Sequence, residues 1–167
     1  SYKQLTAHDV WRKARLAVEA NRVRSARAAV EIVSPESSAQ VKELMDSPTK
    51  YLQARATARG KVRQELVTLA LIKLAQGDAD NAATQLDNKW SVHLSPEERN
   101  WVWGVIGKQA AQRLSSDAVT YFGNVTKDSD LTDDLLGWKA RAALRAGQWK
   151  VVRKAVEAMG DEARRDS

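Results

Sequence analysis

Few residues in this chain of 167 could carry out acid–base, nucleophilic or metal chemistry. The sequence has no cysteine, which excludes disulfides, thiol catalysis and cysteine-ligated zinc. Its two histidines, His8 and His93, have no second ligand at a metal-binding spacing. The sequence also lacks a G-x-S-x-G nucleophile elbow and a glycine-rich phosphate loop. We therefore expect no catalytic residue, metal site or cofactor site, although a Ser-His-Asp triad, which is assembled in space, stays open at this stage.

Tryptophans close to basic residues form a second pattern with chemical meaning. The chain has six tryptophans, and they lie near basic residues, as Trp11, Trp101, Trp138 and Trp149 do with Arg12, Arg99, Lys139 and Lys150. Basic and aromatic residues together are typical of stacking sites for sugars or single-stranded nucleic acid. The same tryptophans lie at helical spacings with alanine and valine, which favours a role in packing helices together. We expect most of them to be core residues.

The charge balance is basic, with a formal net charge of +6 and a pI of about 9.7. This balance favours an anionic partner such as nucleic acid, an acidic membrane or an acidic polymer. However, the 21 acidic residues are interleaved with the basic ones, and a coat of solvated charges on exposed helix faces explains the balance as well. We therefore expect no nucleic-acid partner. Nucleic-acid binding, as a third hypothesis, would predict an affinity that falls steeply with salt, and a flat salt dependence would exclude it.

The sequence predicts neither a signal peptide nor a membrane span. The first residues are polar, and no apolar run approaches the roughly 18 residues that cross a bilayer. We therefore expect a soluble mature protein or an excised fragment.

A helical pattern near the start of the chain is repeated near its end. Residues 12–33 and 138–159 align without a gap and share, among others, the pairs Lys13/Lys139, Ala14/Ala140, Arg15/Arg141, Ala17/Ala143 and Val30/Val156. Each copy consists of two short amphipathic segments joined at Asn21 or Gly147, which predicts a helical hairpin. Repeated helical hairpins predict a solenoid, and solenoids present surfaces more often than compact catalytic pockets.

Capping residues predict where the helices begin. Thr6 with Asp9 and Ser95 with Glu98 are capping boxes, and Pro35, Pro48 and Pro96 suit the first helical position. Trp101 and Trp103 lie on a helix that is apolar all round, which predicts an inner helix. The predicted helices cover about 6–20, 23–33, 35–45, 48–58, 61–76, 78–89, 95–114, 117–125, 132–147 and 148–159, and a further element is predicted to begin at 160–162. No segment has the alternation of a strand.

The expected fold is therefore all-α, a right-handed superhelix or solenoid of irregular helical hairpins. We expect residues 1–167 to form a single superhelical segment. The repeat pattern lacks polar capping repeats at either end, which predicts a fragment of a longer superhelical domain.

Three parts of the chain together form a recognisable pattern: residues 136–149 (LGWKARAALRAGQW), residues 15–21 (RLAVEAN), and residues 94–99 (LSPEER) before a tryptophan-rich helix. This combined pattern resembles the superhelical, U-shaped part of the soluble lytic murein transglycosylases. The order and spacing of the three parts fit over essentially the whole chain. The resemblance implies a periplasmic protein whose parent cleaves peptidoglycan glycan strands to 1,6-anhydromuramyl products with a separate lysozyme-like domain. It also implies glycan strands and cell-wall proteins as partners.

The family's catalytic residue is a glutamate followed by serine, and Glu36-Ser37 is similar to that pair. However, Glu36 follows Pro35 at a helix start, and the family's G-L-M-Q and A-Y-N-A-G runs do not follow it. We interpret Glu36 as an acidic first-turn residue that the helix dipole favours. The resemblance thus carries over no catalytic residue, and the substrate-binding residues stay unassigned.

Two functions are favoured by the sequence over nucleic-acid binding. The first is a non-catalytic superhelical scaffold that positions glycan strands, with Arg15, Arg141 and Lys150 as candidates to attract the carboxylates of peptide stems. The alternative is a free-standing helical-repeat adaptor that binds a protein partner on its concave face. An independent enzyme is the least favoured interpretation.

Overall fold

A computed structural model describes residues 6–166, and for 161–166 it describes the backbone alone. The α-helices are α1 Ala7–Glu19, α2 Val23–Val33, α3 Ser38–Asp46, α4 Pro48–Gln53, α5 Lys61–Gly77, α6 Ala79–Gln85, α7 Pro96–Gln112, α8 Asp117–Gly123, α9 Asp133–Arg145 and α10 Trp149–Asp166. Short 3₁₀ turns cover Pro35–Ser37, Ser91–His93 and Asp128–Asp130, and Leu86–Trp90 forms a π-helical turn. No strand occurs among the described residues, so the all-α prediction is confirmed.

The helices form two compact units that meet in sequence between Gly77 and Asp78. In the first unit, α5 is the central helix and contacts α1, α3 and α4, while α2 contacts α1 and α3. Every residue from 65 to 72 of α5 is buried, because helices cover it on several sides. Burying a leucine side chain contributes about 1.5–3 kcal/mol, so this helix supplies much of the unit's hydrophobic stabilisation.

In the second unit, α7 is the central helix and contacts α6, α8 and α9, while α9 pairs with α10. Trp101 is fully buried and Trp103 is 5% exposed, which confirms the predicted inner helix. Gly107 lies under the ring of Phe122, where an added Cβ would approach ring carbons to 2.7 Å. The glycine thus allows α8 to pack closely against α7.

The repeat is present in the backbone as well as in the sequence. Asn21 and Gly147 both adopt left-handed conformations, with φ of 58° and 72°. Each hairpin closes with the same two hydrogen bonds, in which the amides of Arg22 and Asn21 donate to Ala17 and Val18, and those of Gln148 and Gly147 donate to Ala143 and Leu144. This is the Schellman arrangement of helix ends. Leu114 closes α7 in the same way, with amides of Ser115 and Leu114 donating to Ala110 and Ala111.

Most predicted helix starts are confirmed, and two predicted helix ends are wrong. The boxes at Thr6/Asp9 and Ser95/Glu98 form both of their reciprocal hydrogen bonds. Helix α4 ends at Gln53 instead of near residue 58, because the chain turns into a loop that buries Ala58. Helix α10 continues through Gly160 to Asp166, so the element predicted to begin at 160–162 does not exist.

Tyr121 joins α8 to α6 within the second unit. Its ring stacks on Trp103 at a centroid distance of 6.1 Å, and its hydroxyl donates to Asp80 Oδ1. Burial raises the pKa of Tyr121 well above its usual value, and the Asp80 carboxylate raises this pKa further because it favours the neutral phenol. Since the unfolded chain releases this proton at about pH 10, the stabilisation from Tyr121 is complete below that pH and is lost as the pH rises further.

Replacing Asp80 by asparagine is expected to lower the pKa of Tyr121 toward its usual value. The substitution removes the negative charge that disfavours tyrosinate but keeps a hydrogen-bond acceptor. Ultraviolet absorbance of tyrosinate as a function of pH measures the change, and a Tyr121→Phe variant identifies which step belongs to Tyr121. An unchanged titration of Tyr121 in Asp80→Asn would show that the carboxylate has no influence on it.

Candidate functional site

The three basic residues that the sequence singled out differ in exposure. Arg15 is fully buried, and its Nε and Nη2 donate to Glu65 Oε1 and Oε2 at 3.0 and 2.7 Å. It cannot attract a substrate carboxylate from this position, so the prediction for Arg15 is wrong. Arg141 and Lys150 are exposed, and the Arg141 guanidinium lies 4.5 Å from the centroid of the Trp138 ring.

Most of the tryptophans are core residues, as expected. Trp11, Trp90, Trp101 and Trp103 are buried, Trp138 is half-buried, and Trp149 is 64% exposed. Only the last two lie where a ligand could reach them.

A polar groove of about 700 Å³ in the first unit is the best candidate site. Its walls come from the Pro35–Ser37 turn, from α3 and α4, from the loop 54–60 and from the start of α5. The lining has four basic side chains and one carboxylate: Arg55, Arg59, Lys61, Arg63 and Glu36. The groove therefore has an excess of positive charge, which favours an anionic ligand.

Arg55 fixes one wall of this groove. Its Nη1 donates to the Tyr51 carbonyl oxygen at 2.8 Å and its Nη2 donates to Gln40 Oε1 at 3.2 Å. The guanidinium lies 3.4 Å from the centroid of the Tyr51 ring, and the Tyr51 hydroxyl also donates to Gln40 Oε1, at 2.9 Å. Burial raises the pKa of Tyr51, although the positive charge of Arg55 opposes that rise. This network holds Arg55 in place, so it forms a rigid part of the lining.

The other basic residues of the groove differ in whether a carboxylate of the protein pairs with them. Lys61 Nζ lies 2.7 Å from Glu65 Oε2, so that carboxylate is shared between Lys61 at the groove and the buried Arg15. Arg59 and Arg63 are exposed, and neither side chain forms a hydrogen bond or ion pair with another residue in the described part of the chain. These two guanidinium groups are therefore available to a ligand.

Glu36 lies at the rim of the same groove, exposed in the first turn of the Pro35–Ser37 segment. This confirms the predicted first-turn position. It is the only acidic side chain among the lining residues, so the groove lacks the second carboxylate of a paired acid and base.

Sequence reasoning did not identify the arginines of this groove. The signal was present, because residues 54–63 contain Arg55, Arg59, Lys61 and Arg63 without a single acidic residue. Residues 135–156 form another such run, with six basic residues and no acidic one, so the run alone does not single out this groove. Its interpretation as a site needed the fold, since α3 and Glu36 reach the groove from earlier in the sequence.

The second unit contains a different groove, which is apolar and about 500 Å³ in volume. It lies between the end of α7, the start of α8 and the end of α9. Leu114 and Leu144 line it while 66% and 51% exposed, and Trp138 forms part of its wall. Apolar side chains exposed together are typical of protein contact surfaces.

The described residues contain no group of three metal-ligating side chains that could hold a metal ion. Within the same part of the chain, no helix has the length and apolar character needed to cross a membrane.

No protein-family model matches the sequence. No curated protein matches it either. Among solved structures, the chain is similar to the lytic transglycosylase Slt of Pseudomonas aeruginosa, determined by X-ray methods as an inactive mutant. The sequence identity is 24% and the TM-score is 0.63, over 93% of this chain and 26% of that chain. The chain thus spans about a quarter of the Slt chain and has a lytic-transglycosylase-like fold.

Proposed function

We propose that this chain is a non-catalytic scaffold segment of a lytic transglycosylase, and that it positions peptidoglycan glycan strands for a catalytic domain. The observation that carries this proposal is the likeness to Slt, which extends over 93% of the chain. A periplasmic location and a right-handed superhelical arrangement of the hairpins belong to the same proposal.

The charge of the groove in the first unit supports this function. Peptidoglycan is a polymer whose peptide stems carry carboxylates, and Arg59 and Arg63 present unpaired positive charge to such groups. Glu36 is the one carboxyl group in the lining, and it is exposed at the start of a helical turn and outnumbered by four basic side chains. The composition of the groove is that of a binding wall.

Retention on purified sacculi tests the proposal. We expect the chain to sediment with sacculi at low salt, and the double variant Arg59→Glu, Arg63→Glu to lose most of this retention. The matched control is Arg24→Glu, Arg27→Glu, because these arginines are exposed on α2 of the same unit and lie outside the groove. Equal retention of both double variants would overturn a role for the groove, and no retention of the unmodified chain would overturn the proposed function.

An adaptor that binds a protein partner is the second candidate function, and the apolar groove of the second unit favours it. In that case Leu144→Glu would abolish binding of the partner, whereas the Arg59 and Arg63 variants would leave it unchanged.

A further inference from the structure

The hydrogen-bond donors and acceptors that line the polar groove of the first unit indicate the chemistry of its ligand. Gln40 Oε1 already accepts hydrogen bonds from Tyr51 and Arg55, which leaves the side-chain amide of Gln40 as a donor. Arg59 and Arg63 contribute further N–H donors and no acceptors. The lining is therefore rich in donors, which suits a ligand rich in acceptor oxygens.

The type of basic residue narrows the ligand further. Planar guanidinium groups bind carboxylates in a bidentate manner, as Arg15 does with Glu65 in the same unit. A volume of about 700 Å³ lies within the range of small-molecule sites and suits a ligand of a few residues. Glu36 opposes the bound anion from the rim, and it would also favour an amine on the same ligand.

We infer that this groove binds the free carboxylates of a short peptide through Arg59 and Arg63. Where that peptide is a stem of peptidoglycan, the inference rests on the proposed function and specifies that the groove recognises the peptide rather than the sugar. Arg55 acts here as a positioning residue, since its guanidinium is already engaged by Gln40 and by the Tyr51 carbonyl oxygen.

Calorimetric titration of the full chain with three probes tests this inference. The probes are a synthetic tripeptide with free terminal and side-chain carboxylates, the same peptide with every carboxyl amidated, and a peptide-free chito-oligosaccharide. We expect only the first probe to bind. Binding of the amidated peptide or the oligosaccharide with equal affinity would overturn carboxylate recognition.

Two variants that are expected to change the affinity for the tripeptide in opposite directions make the test specific. Arg59→Ala with Arg63→Ala is expected to weaken tripeptide binding roughly tenfold or more, because it removes charge-assisted hydrogen bonds. Glu36→Gln is expected to strengthen binding about twofold, because it removes a repulsive charge from an exposed position. Arg27→Ala is the matched control and should leave the affinity unchanged. All four side chains are exposed, so circular dichroism and melting curves should show the fold intact. Equal affinities for the Arg59/Arg63 and Arg27 variants would overturn the site.

Failure of this inference can be told apart from failure of the proposed function. Retention on sacculi without binding of the free tripeptide would overturn carboxylate recognition and leave the scaffold role intact. Binding of the tripeptide at Arg59 and Arg63 without retention on sacculi would support the site and overturn the scaffold role.

Discussion

Replacing Glu65 by glutamine is expected to destabilise the first unit by about 3–5 kcal/mol, the range observed when one partner of a buried ion pair is removed. Both side chains of the Arg15–Glu65 pair are fully buried, and two hydrogen bonds join them. The variant would leave the Arg15 guanidinium in the interior without its carboxylate. Denaturant unfolding at neutral pH, followed by far-ultraviolet circular dichroism, measures the difference in free energy.

Two further variants distinguish the contribution of the buried Arg15–Glu65 pair to stability from that of the partly exposed Lys61–Glu65 pair. Lys61→Met removes the other cation on Glu65, but the Lys61 side chain is 48% exposed, so we expect a loss below about 1 kcal/mol. Arg15→Met combined with Glu65→Leu removes both buried charges, and such a replacement is often neutral or stabilising. If Glu65→Gln were no more destabilising than Lys61→Met, burial of the charges would not explain the contribution of this pair to stability.

The helix starts could be predicted from the sequence because capping is local. The side chain of Ser95 accepts from the amide of Glu98, only three residues away, and Thr6 accepts from Asp9 in the same manner. The ends of α4 and α10 could not be predicted, since nothing within a few residues determines them. After α4 the chain forms the loop 54–60, in which Ala58 is buried. Gly160 does not end α10 but lies within this helix.

Burial at equivalent repeat positions could not be predicted, because it depends on which helix packs next. Arg15 is fully buried and its counterpart Arg141 is exposed, although both follow the same Lys-Ala pair. Val30 is fully buried, whereas Val156 is 53% exposed. Helix α5 supplies the partner of Arg15 from 50 residues away, a separation at which no sequence pattern is visible.

Replacing Trp101 by alanine is expected to destabilise the second unit by about 3–5 kcal/mol. Trp101 is fully buried on α7, which packs against α6, α8 and α9, so truncation leaves a cavity that its neighbours fill only partly. The matched control is Trp149→Ala, because that tryptophan begins α10 and is 64% exposed. Surface substitutions usually change stability by less than about 0.5 kcal/mol.

The same two variants decide which tryptophans serve packing and which could serve a ligand. Denaturant unfolding gives the change in stability, and sedimentation with sacculi gives the change in binding. Comparable losses of stability for Trp101→Ala and Trp149→Ala would contradict the burial difference between them. Reduced retention of Trp149→Ala at unchanged stability would assign the exposed tryptophan a contact with the sacculus, because the variant would still be folded and would lack only one exposed ring.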